Sequence, residues 1–144
     1  GLEPVESQWR VEKYDLVYLR GPVDEKTKFT AIIHITVRPL KTGEGAAELL
    51  GGYLEADSNL SKFKLSHKKT INIGNEKAFS ALYEYEAIPS YDLRVPKTPF
   101  KKQMIFLVKN GRSYEFTLNG LAPQFDACAS TLEHVLKTFK FKNR

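Results

Sequence analysis

The stretch Lys102–Asn119, KQMIFLVKNGRSYEFTLN, decides how this chain folds. Its first half, Lys102–Lys109, runs through Met104, Ile105, Phe106, Leu107 and Val108 without a polar break. Neighbouring side chains of a strand point to opposite faces, so this strand is apolar on both and belongs at the centre of a sheet. Asn110-Gly111 follows, the residue pair that most readily takes the positive φ angles of a two-residue hairpin turn. Arg112–Asn119 is the returning strand.

Working back toward the N-terminus, Phe63–Ile73 and Glu76–Ala87 form another hairpin around Gly74-Asn75. In its second strand Phe79, Ala81, Tyr83 and Tyr85 face one way, and Glu76, Ser80, Glu84 and Glu86 the other. A helix over roughly Gly45–Asn59 precedes it, with Ala46, Leu49, Leu50, Tyr53 and Leu54 as its apolar stripe. Thr42 and Glu44 signal its start. Gly51-Gly52 inside it costs about 1 kcal/mol per glycine, and marks either close packing or a marginal helix. Phe29–Arg38 is a strand closed by Pro39, with Phe29, Ala31, Ile33, Ile35 and Val37 on one face and Thr30, Ile32, His34, Thr36 and Arg38 on the other. Tyr14–Arg20 is a shorter strand ended by Gly21-Pro22, and residues 1–13, with Trp9, read as an arm. Toward the C-terminus a second helix, about Pro123–Lys137, buries Phe125, Cys128, Leu132, Val135 and Leu136, followed by Phe139. The expected class is α+β: a mostly antiparallel sheet with helices packed on it, residues 14–144 forming one domain.

With 144 residues, 42% of them hydrophobic and 27% charged, the chain has the composition of an ordinary globular domain and not of a disordered one. No run approaches the roughly 18 apolar residues of a membrane-spanning helix. The single cysteine, Cys128, excludes an intrachain disulfide and a zinc site built on several thiolates, and leaves the redox compartment open. The abrupt start Gly1-Leu2-Glu3-Pro4 reads as a trimmed end, from which an export signal or a lipid anchor has been removed.

Catalytic and cofactor signatures are missing from the sequence. His34, His67 and His134 lie on different elements without metal-ligand spacing, and His134 falls off the apolar stripe of its helix, so it faces solvent. Cys128 sits on a buried stripe, where a thiol acts as a small core residue and not as a nucleophile. Glu84 and Glu86, two apart on one strand face, are a solvated pair without an acid partner. No metal, cofactor or catalytic residue is assigned, and the chain is read as a non-enzyme.

The net charge of +5, at a pI near 9.2, points instead to acidic partners. From Arg94 to Arg112 there are six basic residues and no acidic one, and Lys62, Lys64, Lys68 and Lys69 form a second basic cluster. Nucleic acid is disfavoured, because the aromatic residues fall on core faces instead of among the charges. The segment Ile88–Phe100, IPSYDLRVPKTPF, combines three prolines with Tyr91, Leu93, Val95 and Phe100; loops this long between strands are often functional. Tyr91, Arg94, Lys97, Lys101 and Lys102 are therefore the expected contacts to a protein partner or an anionic surface.

FTAIIHITVRPL, GEGAAELLGGYLEADSNL, KLSHKKTINIGNEKAFSALYEYEA, QMIFLVKNGRSYEFTLNG and FDACASTLEHVLKTFKF, taken in order, resemble the PsbP/Mog1-like family over about Tyr14–Phe141, closing on Leu136, Phe139 and Phe141. The resemblance implies an α/β/α sandwich around an antiparallel sheet. It also implies a non-enzymatic role: members include extrinsic subunits of the oxygen-evolving photosystem, a nuclear import factor that binds a small GTPase, and many exported prokaryotic lipoproteins. No residue pattern carries over as a calcium, manganese or GTPase site. The resulting expectation is an exported, lipid-anchored binding or accessory domain that docks through its 88–101 loop and basic surface. The rival is a small-molecule-binding or enzymatic α+β domain of the cone-shaped kind, with polar residues inside an enclosed pocket.

Overall fold

The computed structural model describes residues 3–5, 10–11, 14–41, 43–89 and 94–141. In chain order these are β1 (Glu3–Val5), β2 (Arg10–Val11), β3 (Tyr14–Val23), β4 (Thr30–Pro39), α1 (Ala46–Asp57), β5 (Ser61–Ile73), β6 (Glu76–Ala87), β7 (Thr98–Lys109), β8 (Arg112–Leu121) and α2 (Ala122–Thr138). The six long strands lie in the order β3-β4-β8-β7-β6-β5, every neighbour antiparallel, and β1 and β2 pair with the outer edge of β3. This is the expected α+β class.

The β7–β8 hairpin occupies the middle of that sheet. Its turn has φ of 52° at Asn110 and 72° at Gly111, and Lys109 pairs with Arg112 across it. Both angles are left-handed, which is why Asn-Gly is found there. On one face Ile105, Leu107, Phe116 and Leu118 pack against Phe125, Cys128 and Leu132 of α2. On the other, Met104 and Phe106 lie under Ala46, Leu50 and Leu54 of α1. The helices thus cover opposite faces, giving an α/β/α sandwich, and each fully buried Leu, Ile or Phe adds about 2 kcal/mol by leaving water. Coverage is partial: α1 sits over β6 and β7, whereas α2 sits chiefly over β8, β7 and β4.

Several boundaries differ from those expected. β3 continues through Gly21-Pro22 to Val23, with a register shift between Arg20 and Val23, so the glycine and proline make a bulge instead of an end. β7 begins at Thr98 and not at Lys102, which shortens the connecting loop to residues 88–97. Phe100 draws this segment into the sheet: it is 3% exposed, edge-on to Phe29 at 4.9 Å and stacked on Tyr85 at 5.2 Å. Pro99 is tolerated because β8 ends opposite Phe100, leaving the start of β7 paired on one side only. Phe29 itself, expected beside Ala31, joins the core under α1 instead. Of the arm, β1 and β2 pair with β3, while Trp9 lies outside the described residues, as does Thr42; α1 starts at Ala46, and its N-cap, Gly45, gives no side-chain cap.

Two glycines behave oppositely. A Cβ on Gly120 would stand 3.0 Å from the Cβ of Ala31 and 3.3 Å from that of Gln124, so a larger residue where β8 turns into α2 would have to push both aside. A Cβ on Gly52 would meet nothing within 4 Å, so this part of the Gly-Gly pair is not needed for close packing. Gly120→Ala is accordingly expected to lower the unfolding free energy by about 1–2 kcal/mol. Gly52→Ala is expected to raise it by about 0.5–1 kcal/mol, by restricting the unfolded chain and favouring helix. Urea titrations of the two variants measure both signs.

Candidate partner-binding cleft

The 88–97 loop, the turn between β3 and β4, and the junction of β8 with α2 meet at one end of the sandwich. Between them lies a cleft of about 480 Å³, with Val95, Pro96, Pro99, Leu121 and Pro123 as apolar lining and Asp24, Lys26 and Thr27 as a polar wall. Pro96, Lys97 and Arg94 are exposed, whereas Pro89 is buried.

The polar wall is held in shape locally. The Asp24 carboxylate accepts hydrogen bonds from the Thr27 N–H at 2.8 Å and the Thr27 hydroxyl at 2.6 Å. The Asp24 N–H donates to the Phe29 carbonyl at 2.8 Å. The bonds from Thr27 hold the Asp24 carboxyl below the usual carboxylate range. Gln124, 8% exposed, ties this turn to α2: its Nε2 donates to the carbonyls of Pro22 at 3.1 Å and Phe29 at 2.8 Å, and its Oε1 accepts the Leu121 N–H at 3.0 Å. A single amide side chain thus bonds the Leu121 N–H and the Pro22 carbonyl and gives the Phe29 carbonyl a second donor beside the Asp24 N–H.

The residues expected to meet a partner divide between locations. Tyr91 lies outside the described residues, together with Leu93. Arg94 and Lys97 are exposed on the loop. Lys101 is on the α2 face, 3.3 Å from Asp126, with its ammonium 5.1 Å from the ring centroid of Phe125. Lys102, one residue on, must point the opposite way; on the α1 face its ammonium reaches Asp57 at 3.3 Å. Lys101 and Lys102 therefore lie on opposite faces of the sheet. Lys26, Asp24 and Thr27 on the facing turn were not singled out in the sequence, because nothing local distinguishes a cleft wall from any other polar turn.

A second polar group lies on the part of the α1 face that α1 leaves uncovered. Tyr18, His34 and Thr117 are direct neighbours across β3, β4 and β8. His34 Nε2 is 3.2 Å from Glu115 Oε2, the Thr117 hydroxyl donates to the same oxygen at 2.8 Å, and the Tyr18 ring stacks on His34 at 6.0 Å. Burial alone would raise the Glu115 carboxyl; the bonds from His34 and Thr117, with the charges of His34 and Arg38, outweigh it and hold the group low. Beside this group Tyr83 donates to Asp57, and burial followed by that carboxylate pushes its phenol far up. Tyr85 donates to Asn119 at 2.8 Å, and its phenol rises to about 12, mainly through burial. Phenols in that state stay protonated as hydrogen-bond donors.

Cys128 is on the other face, 2% exposed, its thiol pushed up by burial, so cysteine, histidine and carboxylate do not converge. His134 is exposed, as its place on the helix required. Glu86 of the Glu84–Glu86 pair is 3.5 Å from Lys62. Among the described residues no group of three or more His, Cys, Asp or Glu side chains is gathered as a metal would need, and no helix is long and apolar enough to cross a membrane.

The layers and strand order define the PsbP/Mog1-like fold, and solved structures agree. A Pseudomonas aeruginosa protein of unknown function, PA94, described as a candidate regulator, superposes with a TM-score of 0.69 at 14% identity, covering 99% of both chains. The cyanobacterial PsbP (CyanoP) of Synechocystis sp. PCC 6803 gives 0.57 at 10% identity, over 99% of this chain and 82% of that one. LpqN of Mycobacterium tuberculosis, involved in cell envelope biogenesis, gives 0.55 at 11% identity, over 96% and 88%. No family model matches the sequence, and no curated protein matches it. At these identities the likeness is one of fold.

Because the folded Glu115 carboxyl is held below its ordinary value of 4.5, its contribution to stability is present above that value and lost as pH falls through the folded one. Glu115→Gln is expected to cost about 1–3 kcal/mol near neutral pH and to flatten the acid side of the stability profile below pH 4.5. Urea midpoints measured across that range report both effects.

Proposed function

We propose that this chain is a non-catalytic accessory domain that docks on a partner protein through the cleft beside its 88–97 loop. The observation that carries this reading is the cleft itself: an apolar lining from Val95, Pro96, Pro99, Leu121 and Pro123, with the exposed cations Arg94 and Lys97 on its loop side. Such a site matches a partner with an apolar anchor and an acidic rim. Tyr91 and Lys101 extend the proposed contact; Lys102 belongs to the opposite face and acts through Asp57. The rival cone-shaped domain would enclose its pocket under a curled sheet, whereas here helices pack on both faces of the sheet centre.

The proposed place of work is outside the cytoplasm, with an export signal or lipid anchor upstream of Gly1. The fold shared with LpqN, described in cell envelope biogenesis, and with CyanoP supports this. The native N-terminus of the precursor, read by mass spectrometry from fractionated source cells, tests it: a cytosolic chain without a processed leader would overturn it.

Docking is tested by placing a photo-crosslinking residue at Lys97, and as a control at Asn110 on the far hairpin, in the full-length protein in its own cells. A discrete adduct from position 97, absent at 110 and reduced at least about tenfold by Arg94→Glu, is expected. Equal labelling at both positions, or an adduct indifferent to Arg94→Glu, would contradict the reading.

A further inference from the structure

The second basic cluster lies on β5, far from the cleft in sheet order and independent of it. β5 ends the sheet, so only its β6 side is paired among the described residues. Edge strands are usually short or interrupted, because their free N–H and C=O groups recruit other chains. This one runs thirteen residues, Ser61–Ile73. Two register shifts break it between Ser61 and Lys64 and between Leu65 and His67, but from His67 to Ile73 pairing is continuous. That length of regular, unpaired edge can accept another strand.

The hydrogen-bond phase of the free edge follows from the turn. A two-residue turn closes on a hydrogen-bonded pair, here Ile73 with Glu76, and such pairs alternate along an antiparallel ladder. Ile73, Ile71 and Lys69 therefore bond inward to β6, and the outward N–H and C=O groups are those of Lys68, Thr70 and Asn72.

Charge and relief define the occupant. β5 carries Lys62, Lys64, Lys68 and Lys69 and no acidic residue. Lys62 is 3.5 Å from Glu86, while no carboxylate stands within ion-pair distance of the other three among the described residues. On the α2 face, where α2 stops short of the edge, a groove of about 580 Å³ runs beside the strand, with Ile71, Leu132 and Leu136 as its apolar part. Lys69 is its cation without an ion-pair partner among the described residues, while Lys137 is 3.5 Å from Glu133 on the α2 side.

We infer that β5 is a docking edge for an extended, acidic peptide segment of another protein, which adds as an antiparallel or parallel strand along His67–Ile73. Its main chain bonds to Lys68, Thr70 and Asn72; alternate side chains fall toward the groove, apolar ones near Ile71 and Leu136, acidic ones near Lys69 and Lys64. Lysines on an edge also guard against self-association, and a guard and a docking site differ in what an acidic strand does to them.

The test uses the whole chain and a short synthetic peptide alternating glutamate and valine, followed by isothermal titration and residue-level amide hydrogen exchange. Binding is expected, with slowed exchange at Lys68, Thr70 and Asn72 and affinity lowered at least about tenfold in Lys64→Glu/Lys69→Glu. A peptide of the same sequence, N-methylated at alternate residues on its pairing edge, keeps its charge but cannot complete the ladder and is expected to bind at least about tenfold more weakly. Equal binding of the two peptides would overturn strand addition in favour of a charge effect alone. Failure of the unmethylated peptide to bind the folded wild-type chain would overturn the proposal entirely, and leave the cleft reading untouched.

Discussion

The β7–β8 hairpin is apolar on both faces along β7, and this single property forces the architecture. Water must be kept from Met104 and Phe106 on one side and from Ile105 and Leu107 on the other, so one helix cannot suffice. β8 is two-faced in a different way. Phe116 and Leu118 belong to the α2 core, while Glu115, Thr117 and Asn119 line the opposite face. α2 can therefore centre itself over β8, but α1 is drawn sideways to the apolar columns of β6 and β7. The offset of the two helices follows from that polar column, and the polar groups left without a helix above them satisfy one another instead.

The offset has a consequence at each side of the sheet. On the α1 face it leaves the shelf of Tyr18, His34, Thr117 and Glu115, closed by its own hydrogen bonds. On the α2 face it leaves the basic edge β5 and the groove beside it. At the end of the sandwich a third concavity arises from a different cause: Gly120 lets β8 approach Ala31, and Gln124 then reaches both sides of the β3–β4 turn. That junction fixes the floor of the cleft while the 88–97 loop supplies its other wall. Lys101 and Lys102 are turned to opposite faces, so the basic residues next to each other in the sequence do not form one patch.

PA94, CyanoP and LpqN share this arrangement at 10–14% identity. Such conservation of shape without conservation of residues is what a pattern of apolar alternation allows, since many side chains of similar volume fill the same layers. It also explains why each concavity must be judged on its own residues: a shared layer arrangement carries no binding site with it.

Periodicity along the chain was enough to establish the elements, their order and most of the inward side chains of Ala31–Ile35, Phe79–Tyr85 and the two helices, because alternation and helical spacing are local properties of the backbone; Tyr53 and Val135, expected on the buried stripes, are exposed and half-buried. It also pointed to Ile88–Phe100 as a distinctive segment and kept Cys128 in the core. Only tertiary structure decided that Phe100 belongs to the sheet, that Gly21-Pro22 is a bulge and that Phe29 packs under α1, since each depends on a partner tens of residues away. The pairing of His34 with Glu115, the division of Lys101 from Lys102 and the exposure of β5 as an edge had the same origin. A strand reveals its two faces in its own residues, but which strands lie beside it, and whether anything covers it, is set by register and layer packing across the whole molecule.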